Sequence, residues 1–238
     1  MAPRRFGGGE VMRPGVFAVA VAASCAVAGV AAAADGPYYL SGSFGGYFRQ
    51  SDQINATLFS APIPIVTAPG TVGRTYDPGL VINLAAGYRL TSHLRVEAEL
   101  GYAAYSGSTL KPATLQPSLL SYQGQTFNHV SGDDLSRLTG TLNGFYDFSP
   151  VRGVTPYVGA GFGDSANHQS SGLFREADGG RFADKGGSAT HGLALLEAGF
   201  SIPLSRNLYL VPAYRYVHYF AAGQDVSHVV KIGLRYGF

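Results

Sequence analysis

The chain repeats one pattern about eight times: a segment in which apolar and polar residues alternate, followed by turn residues. An alternation with a period of two places every second side chain on the same face of an extended strand. The segments are residues 38–48, 80–90, 94–105, 137–148, 154–163, 196–204, 208–220 and 227–238. Each is near the length of a tilted strand that crosses a bilayer, so the pattern predicts an all-β fold.

The connections between these segments alternate in length. Residues 91–93, 149–153 and 205–207 are short turns, whereas residues 49–79, 106 to about 134 and 164–188 are long intervals. Short turns at one end and long loops at the other are typical of an up-and-down meander. We therefore predict an eight-stranded antiparallel up-and-down β-barrel.

The two faces of the segments decide between two kinds of barrel. A charged face turned to water would make a soluble, lipocalin-like barrel with an apolar interior. Charges of both signs occur at matched depth, however, and ion pairs would fill the interior of a narrow barrel. We therefore predict a charge network in the lumen formed by Arg89, Arg95, Glu97, Glu99, Arg137, Glu197, Arg215, Lys231 and Arg235, with Asp147 at the same face.

Aromatic residues mark both ends of the apolar face. Those toward the short turns are Tyr38, Tyr88, Tyr146, Phe148, Phe200, Tyr236 and Phe238. Those toward the long loops are Phe48, Tyr102, Tyr214 and Tyr216. Two belts of amphipathic rings suit two membrane interfaces, and no window after residue 34 approaches the length of an apolar transmembrane helix. The barrel is therefore predicted to be transmembrane, with short periplasmic turns and long extracellular loops.

The N-terminal residues have the composition of a secretory signal. Three arginines precede an apolar run at residues 16–30, and four alanines at residues 31–34 precede Asp35. This order predicts a cleaved signal peptide over residues 1–34 and a barrel domain over residues 35–238. The alternatives are an uncleaved membrane anchor and a lipoprotein site at Cys25. Translation starting at Met12 instead of Met1 would also give a standard signal.

Composition excludes several functional classes. The net charge is +2, and after the N-terminus no cluster of Lys and Arg exceeds a pair, so nucleic acid is not an expected partner. After cleavage the chain has no cysteine, which removes disulfides and thiolate metal sites. We expect no cofactor and no metal.

Several segments resemble a known family. Residues 40–46, 155–163, 212–216 and 234–238 are similar to segments of the small outer-membrane β-barrel superfamily of OmpA-like and opacity-type proteins. The resemblance covers residues 38–238. It implies the outer membrane of a Gram-negative-type bacterium, reached after signal-peptide export to the periplasm, with outer-membrane lipid and lipopolysaccharide as partners.

The resemblance also implies a role for the last strand. In that family a terminal aromatic residue, preceded by apolar residues at alternating positions, is the signal that the outer-membrane assembly machinery reads. The matching residues in this chain are Val230, Ile232, Leu234, Tyr236 and Phe238.

Only weak candidates for catalysis or metal binding occur. Relatives that deacylate lipid A use a His and a Ser two residues apart with an acidic partner, which His129 and Ser131 match, but Gly132 replaces the family's Asn and the pair falls in a predicted loop. His218 and His228 flank the last loop without a carboxylate, which makes a poor metal site. Glu97 and Glu99 lie among arginines, so lumen filling is favoured over acid–base work.

These observations favour a structural or surface-interaction protein. A narrow barrel filled by long side chains conducts poorly, which argues against a general porin. The first long interval includes an apolar, proline-rich stretch at residues 61–66, which suggests contact with a surface ligand and an adhesin-like role. The alternatives are a deacylase-like enzyme that modifies lipid A and a narrow solute channel.

Overall fold

The computed structural model describes residues 36–59, 67–114, 127–175, 181–184, 186–221 and 225–238. The signal-peptide prediction and the stretch at residues 61–66 lie outside these ranges. In the described ranges no helix is long and apolar enough to cross a membrane. The strands are β1 (Tyr38–Arg49), β2 (Asp52–Phe59), β3 (Thr67–Tyr76), β4 (Gly79–Arg89), β5 (Leu94–Thr114), β6 (Phe127–Gly132), β7 (Asp134–Asp147), β8 (Thr155–Gln169), β9 (Gly172–Arg175), β10 (Arg181–Asp184), β11 (Gly187–Pro203), β12 (Leu208–Tyr219) and β13 (Asp225–Gly237).

Eight of these strands form a closed antiparallel barrel. The order around the barrel is β1, β4, β5, β7, β8, β11, β12 and β13, and β13 pairs back with β1 from Tyr39↔Gly237 to Arg49↔Ser227. Closure pairs each barrel strand with a neighbour on both sides, so the barrel wall has no exposed sheet edge. The predicted eight-stranded up-and-down barrel is confirmed, and each predicted segment lies on one of its strands.

The strands are strongly tilted. A circuit of paired residues starts at Val158 and returns to the same strand at His168, which is about ten residues nearer the long loops. The circuit passes through Ala198, Tyr214, Val230, Gly46, Leu80, Ala104 and Ser136. For eight strands this stagger gives a tilt of roughly 40° and a backbone radius of roughly 8 Å, an interior that side chains can fill.

The two faces of the wall have opposite character. On the outside, Leu80 is 72% exposed and Phe162 67%, whereas Arg95 and Glu97 on the inside are 1% and 7% exposed. Burying charge and exposing large apolar side chains suits a lipid environment outside and ion pairs inside. The soluble alternative would need the reverse arrangement.

Two of the short turns share one hydrogen-bonding frame. Leu90 N donates to Leu94 O at 2.8 Å, and Leu204 N donates to Leu208 O at the same distance. In the third turn Arg152 and Gly153 have φ of 53° and 83°, the left-handed pair that a tight hairpin requires. These turns and both ends of the described chain define the turn side of the barrel.

At the opposite end, the loop side, the long intervals contain strands that the alternation did not predict. The hairpin of β2 and β3 pairs with the far part of β5 from Thr71↔Thr114 to Tyr76↔Gly107. Strand β6 joins β5 to β9, and β9 pairs with β10. The loop side therefore carries a second sheet that extends the barrel wall beyond the tilted barrel strands.

Candidate functional site in the barrel lumen

The middle of the lumen contains a four-residue ion-pair cluster. Arg215 Nη2 donates to Glu99 Oε2 at 2.8 Å, and Arg215 Nε donates to Glu197 Oε2 at 2.7 Å. Lys231 Nζ lies 2.9 Å from Glu197 Oε2 and 3.6 Å from Glu99 Oε2. We call Glu99, Glu197, Arg215 and Lys231 the central cluster. Two cations face two carboxylates, so its formal charges balance.

Charges on the turn side are arranged around Arg95. It forms ion pairs with Glu97 and with Asp147, whose Oδ1 is 3.1 Å from Arg95 Nε. Tyr39 OH donates to Glu97 Oε1 at 2.8 Å. The Arg95 guanidinium lies 3.9 Å from the centre of the Phe145 ring, a favourable cation–π distance.

Two other predicted network residues reach the turn side without a carboxylate partner among the described residues. Arg235 Nη1 donates to Ser201 Oγ at 3.1 Å. The Arg89 guanidinium lies over the rings of Tyr39 and Tyr209, at 5.6 and 5.9 Å from their centres. Both arginines therefore lie inside the barrel, but neither forms an ion pair with a described residue.

A separate cluster lies on the loop side. Arg137 Nη2 is 2.8 Å from Asp225 Oδ2, and Arg137 Nη1 donates to Tyr47 OH at 2.8 Å. Tyr47 OH is also 2.6 Å from Ser227 Oγ, and Arg49 Nε lies 3.2 Å from Asp225 Oδ1. Sequence reasoning identified Arg137 but missed Asp225 and Arg49. Their inward parity was a usable signal, but both lie at strand ends where alternation is hardest to assign.

Two small cavities lie in the described part of the lumen. A cavity of about 30 Å³ lies on the turn side, and another of about 30 Å³ lies on the loop side. Each has room for about one or two water molecules. Glu99, Glu197 and Lys231 line the first cavity and Arg215 lines the second, so the central cluster lies between them. The loop-side cavity also has a largely apolar lining formed by Val81, Ala103, Leu193, Leu195, Val217 and Val229.

A buried ion pair connects the second sheet of the loop side, formed by β2, β3, β6, β9 and β10 and called the extracellular sheet below, to the barrel. Arg74 of β3 pairs with Asp133, which is 0% exposed, and Gln169 Nε2 of β8 donates to Asp133 Oδ1 at 2.9 Å. Asp133 has φ of 58° and its backbone O accepts from Gly107 N of β5 at 3.3 Å. Asp133 therefore connects β3, β5 and β8 at the junction of β6 and β7.

The predicted catalytic candidates lie on a strand of the extracellular sheet. His129 and Ser131 are in β6, so the expectation that they fall in a loop is wrong: this part of the long interval pairs with β9. A register shift separates His129↔Phe174 from Ser131↔Leu173. A bulge breaks strict alternation, so a spacing of two no longer implies a shared face here.

The histidines that flank the last loop lie on the outer surface of the wall. His228 Nδ1 is 2.6 Å from Tyr214 OH, whereas the ring of His218 packs against Phe220 at 5.4 Å between centres. Each imidazole thus has its own aromatic neighbour. The described part of the chain contains no group of three or more His, Cys, Asp or Glu side chains placed to hold a metal ion.

The residues of the predicted assembly signal project outward from β13. Val230, Leu234 and Tyr236 are 58%, 48% and 52% exposed, and Ile232 is 39% exposed. Phe238 follows the strand, and its N–H donates to Tyr38 O at 3.1 Å. The alternating apolar face of the last strand is therefore presented on the outside of the barrel.

Comparisons with known proteins agree with this geometry. A family model described as the outer membrane protein beta-barrel domain matches residues 17–238. The outer membrane protein OprG from Pseudomonas aeruginosa is 16% identical and has a TM-score of 0.50, with 85% of this chain and 96% of that chain covered. This likeness shows a shared fold. No curated protein sequence matches the chain.

Two other solved structures have lower scores. Neisserial surface protein A is 17% identical with a TM-score of 0.49, and the alignment covers 85% of this chain and 97% of that chain. Ail, the attachment invasion locus protein of Yersinia pestis, is 13% identical with a TM-score of 0.39, with 83% and 98% covered.

Proposed function

Because the chain belongs to the family of outer-membrane protein β-barrel domains, we propose that it is a non-enzymatic barrel with a structural and surface-interaction role, adhesin-like and not a general porin. Family membership places it in the outer membrane of a Gram-negative-type bacterium. Export through the signal peptide at residues 1–34 and reading of the β13 signal by the assembly machinery belong to the same proposal.

The observation that carries the proposal is the filled lumen. The central cluster lies between two cavities of about 30 Å³ each. Ion-paired side chains in a narrow barrel replace the water that a solute path would need. A barrel without such a path acts through its outer surface, its extracellular strands or its mechanical presence in the membrane.

The extracellular sheet supplies the surface for an interaction. Strands β2, β3, β6, β9 and β10 extend beyond the lumen at the loop side, and the buried Arg74–Asp133 pair connects them to the barrel. A sheet connected to a rigid barrel fixes the ends of the segments between its strands. The apolar residues 61–66, between β2 and β3, are our proposed contact segment.

Adhesion of whole cells tests this role. Bacteria that display the wild-type chain are expected to adhere to epithelial monolayers several-fold better than bacteria that display a variant with residues 61–66 replaced by Gly and Ser. A matched control replaces residues 205–207 in a short turn and should adhere as wild type does. Equal adhesion of all three, at equal surface display, would contradict the surface-interaction role.

A lipid A deacylation assay tests the non-enzymatic part. Detergent-refolded wild-type protein is expected to release no fatty acid above the level of a Ser131→Ala variant. Release by the wild type that the Ser131→Ala variant lacks would establish an enzyme and overturn the proposal.

A further inference from the structure

Two buried guanidinium groups on the turn side have N–H groups without an acceptor. Arg95 is 1% exposed and Arg235 is 4% exposed. Arg95 Nη2 and Arg235 Nε have no hydrogen-bond partner among the described residues. A buried donor on a charged group that stays unpaired is costly, so an acceptor between these groups would stabilise the fold.

Both arginines line the same cavity. It has a volume of about 30 Å³, and Ser41, Ser43 and Asn83 also contribute to its wall. The two guanidinium groups share a neighbour, because Arg95 Cζ lies 4.6 Å and Arg235 Cζ 5.8 Å from the centre of the Tyr157 ring. Both unpaired donors therefore belong to residues that line the same small cavity.

The charge on the turn side favours an anion as the acceptor. Of the cations that line the cavity, Arg95 pairs with Glu97, which lines it too, and with Asp147. Glu99 and Glu197 also line the cavity, but Arg215 and Lys231 already bind them. Arg235 is therefore the cation of the cavity lining that has no ion pair with a described residue, although it is buried. A buried unmatched charge is costly, and a water molecule would leave it in place.

We propose that the turn-side cavity binds a small monovalent anion such as chloride, which accepts hydrogen bonds from Arg95 Nη2 and Arg235 Nε. The volume admits one or two water-sized spheres, so polyatomic anions such as sulfate or phosphate are too large. The site is independent of the proposed surface role, since it lies at the opposite side of the central cluster from the extracellular sheet.

Crystals of the refolded protein grown in bromide test the site. We expect an anomalous difference peak in the cavity, within hydrogen-bonding distance of Arg95 and Arg235. Arg235→Met should abolish the peak, and Arg235→Lys, which keeps the charge but has no Nε, should reduce it. Arg206→Met, in an exposed short turn, is the matched control and should leave it unchanged.

A melting experiment gives an independent readout for variants that do not crystallise. The wild type and Arg206→Met are expected to melt at a higher temperature in chloride than in gluconate at equal ionic strength, and Arg235→Lys should lose this difference. Absence of a bromide peak in the wild type, or an equal chloride effect in all three proteins, would overturn the proposal in favour of bound water.

Discussion

Glu99 accepts hydrogen bonds from both η nitrogens of Arg215 and lies 3.6 Å from Lys231 Nζ, with all three side chains buried inside the barrel. Each charge in this cluster depends on the others, because a buried ion without its partner loses hydration and gains nothing in return. Glu197 provides the second carboxylate and keeps the group balanced.

Glu99→Gln is expected to lower the free energy of unfolding by about 3–5 kcal/mol, the usual cost of removing one partner from a buried ion pair. Urea unfolding of the barrel refolded in lipid vesicles measures the change. Asp134→Asn, which alters an exposed carboxylate, serves as the control and should cost less than about 0.5 kcal/mol. Equal losses for the two variants would show that the central cluster does not stabilise the fold.

Asp133 is the buried charged residue that connects the extracellular sheet to the barrel. Asp133→Asn keeps a side chain that tolerates the left-handed backbone at φ 58° but removes the charge that pairs with Arg74. We expect several-fold faster proteolysis of the long loops, while heat-modifiable gel migration of the barrel persists. Gln169 donates its side-chain N–H to Asp133. Gln169→Glu keeps the size of this side chain but places a second carboxylate against Asp133, so it should also accelerate cleavage. Unchanged cleavage in both variants would contradict the connecting role of Asp133.

At the level of strands, alternation predicted the inward face for residues in the middle of a strand, but not for Arg49 and Asp225 at strand ends. Glu97, Glu99 and Arg215 were assigned to the lumen from parity alone, because the side-chain period of a strand is two. The pairing of Glu99 with Arg215 was not predictable in the same way. It joins β5 to β12 across 116 residues and depends on the stagger of the closed barrel, which parity does not contain.

The strands of the extracellular sheet illustrate a second limit. In β3 the sequence around Pro69 and Gly70 reads as a breaker, and β6 is only six residues long with a bulge next to Ser131. Short strands with Pro, Gly and bulges lack the alternation that identifies a strand, and pairing with β5 or β9 stabilises them instead. The Arg74–Asp133 pair could not be inferred for the same reason.

An arginine on the outer face of a barrel strand tests the orientation of the wall. Leu84→Arg, at a residue 66% exposed in the middle of β4, should cost about 2–4 kcal/mol in vesicles. Leu204→Arg, at a short turn and 54% exposed, should cost about 0–1 kcal/mol because it lies near the membrane surface. In a water-soluble barrel the cost of an outward arginine would not depend on its distance from the membrane surface. Similar costs at Leu84 and Leu204 would therefore contradict a transmembrane wall.

The last strand allows a test of assembly. Deleting Phe238 is expected to reduce the heat-modifiable form in cells several-fold, while the purified variant still refolds in detergent because the β1–β13 pairing is intact. Phe238→Tyr keeps a terminal aromatic ring and should assemble normally. Normal assembly of the deletion variant would show that the machinery does not read this residue.

For the whole molecule, the number and stagger of the barrel strands determine how wide the lumen is and how far side chains fill it. Eight strands with a stagger of about ten residues enclose an interior that side chains can fill, and several of the inward residues are charges that pair across it. Beyond the central cluster, apolar residues on the loop side, among them Leu193 and Val217, line the lumen together with Arg137, which pairs with Asp225. Two different layers thus obstruct the same path.

Recording from planar lipid bilayers tests this closed lumen most directly. The wild-type barrel is expected to show no steady ion conductance, whereas a variant with Glu99, Arg215, Leu193 and Val217 all replaced by Ser should conduct, since both layers are then removed. A variant with only Glu99 and Arg215 replaced should stay closed. Steady conductance by the wild type would contradict the account.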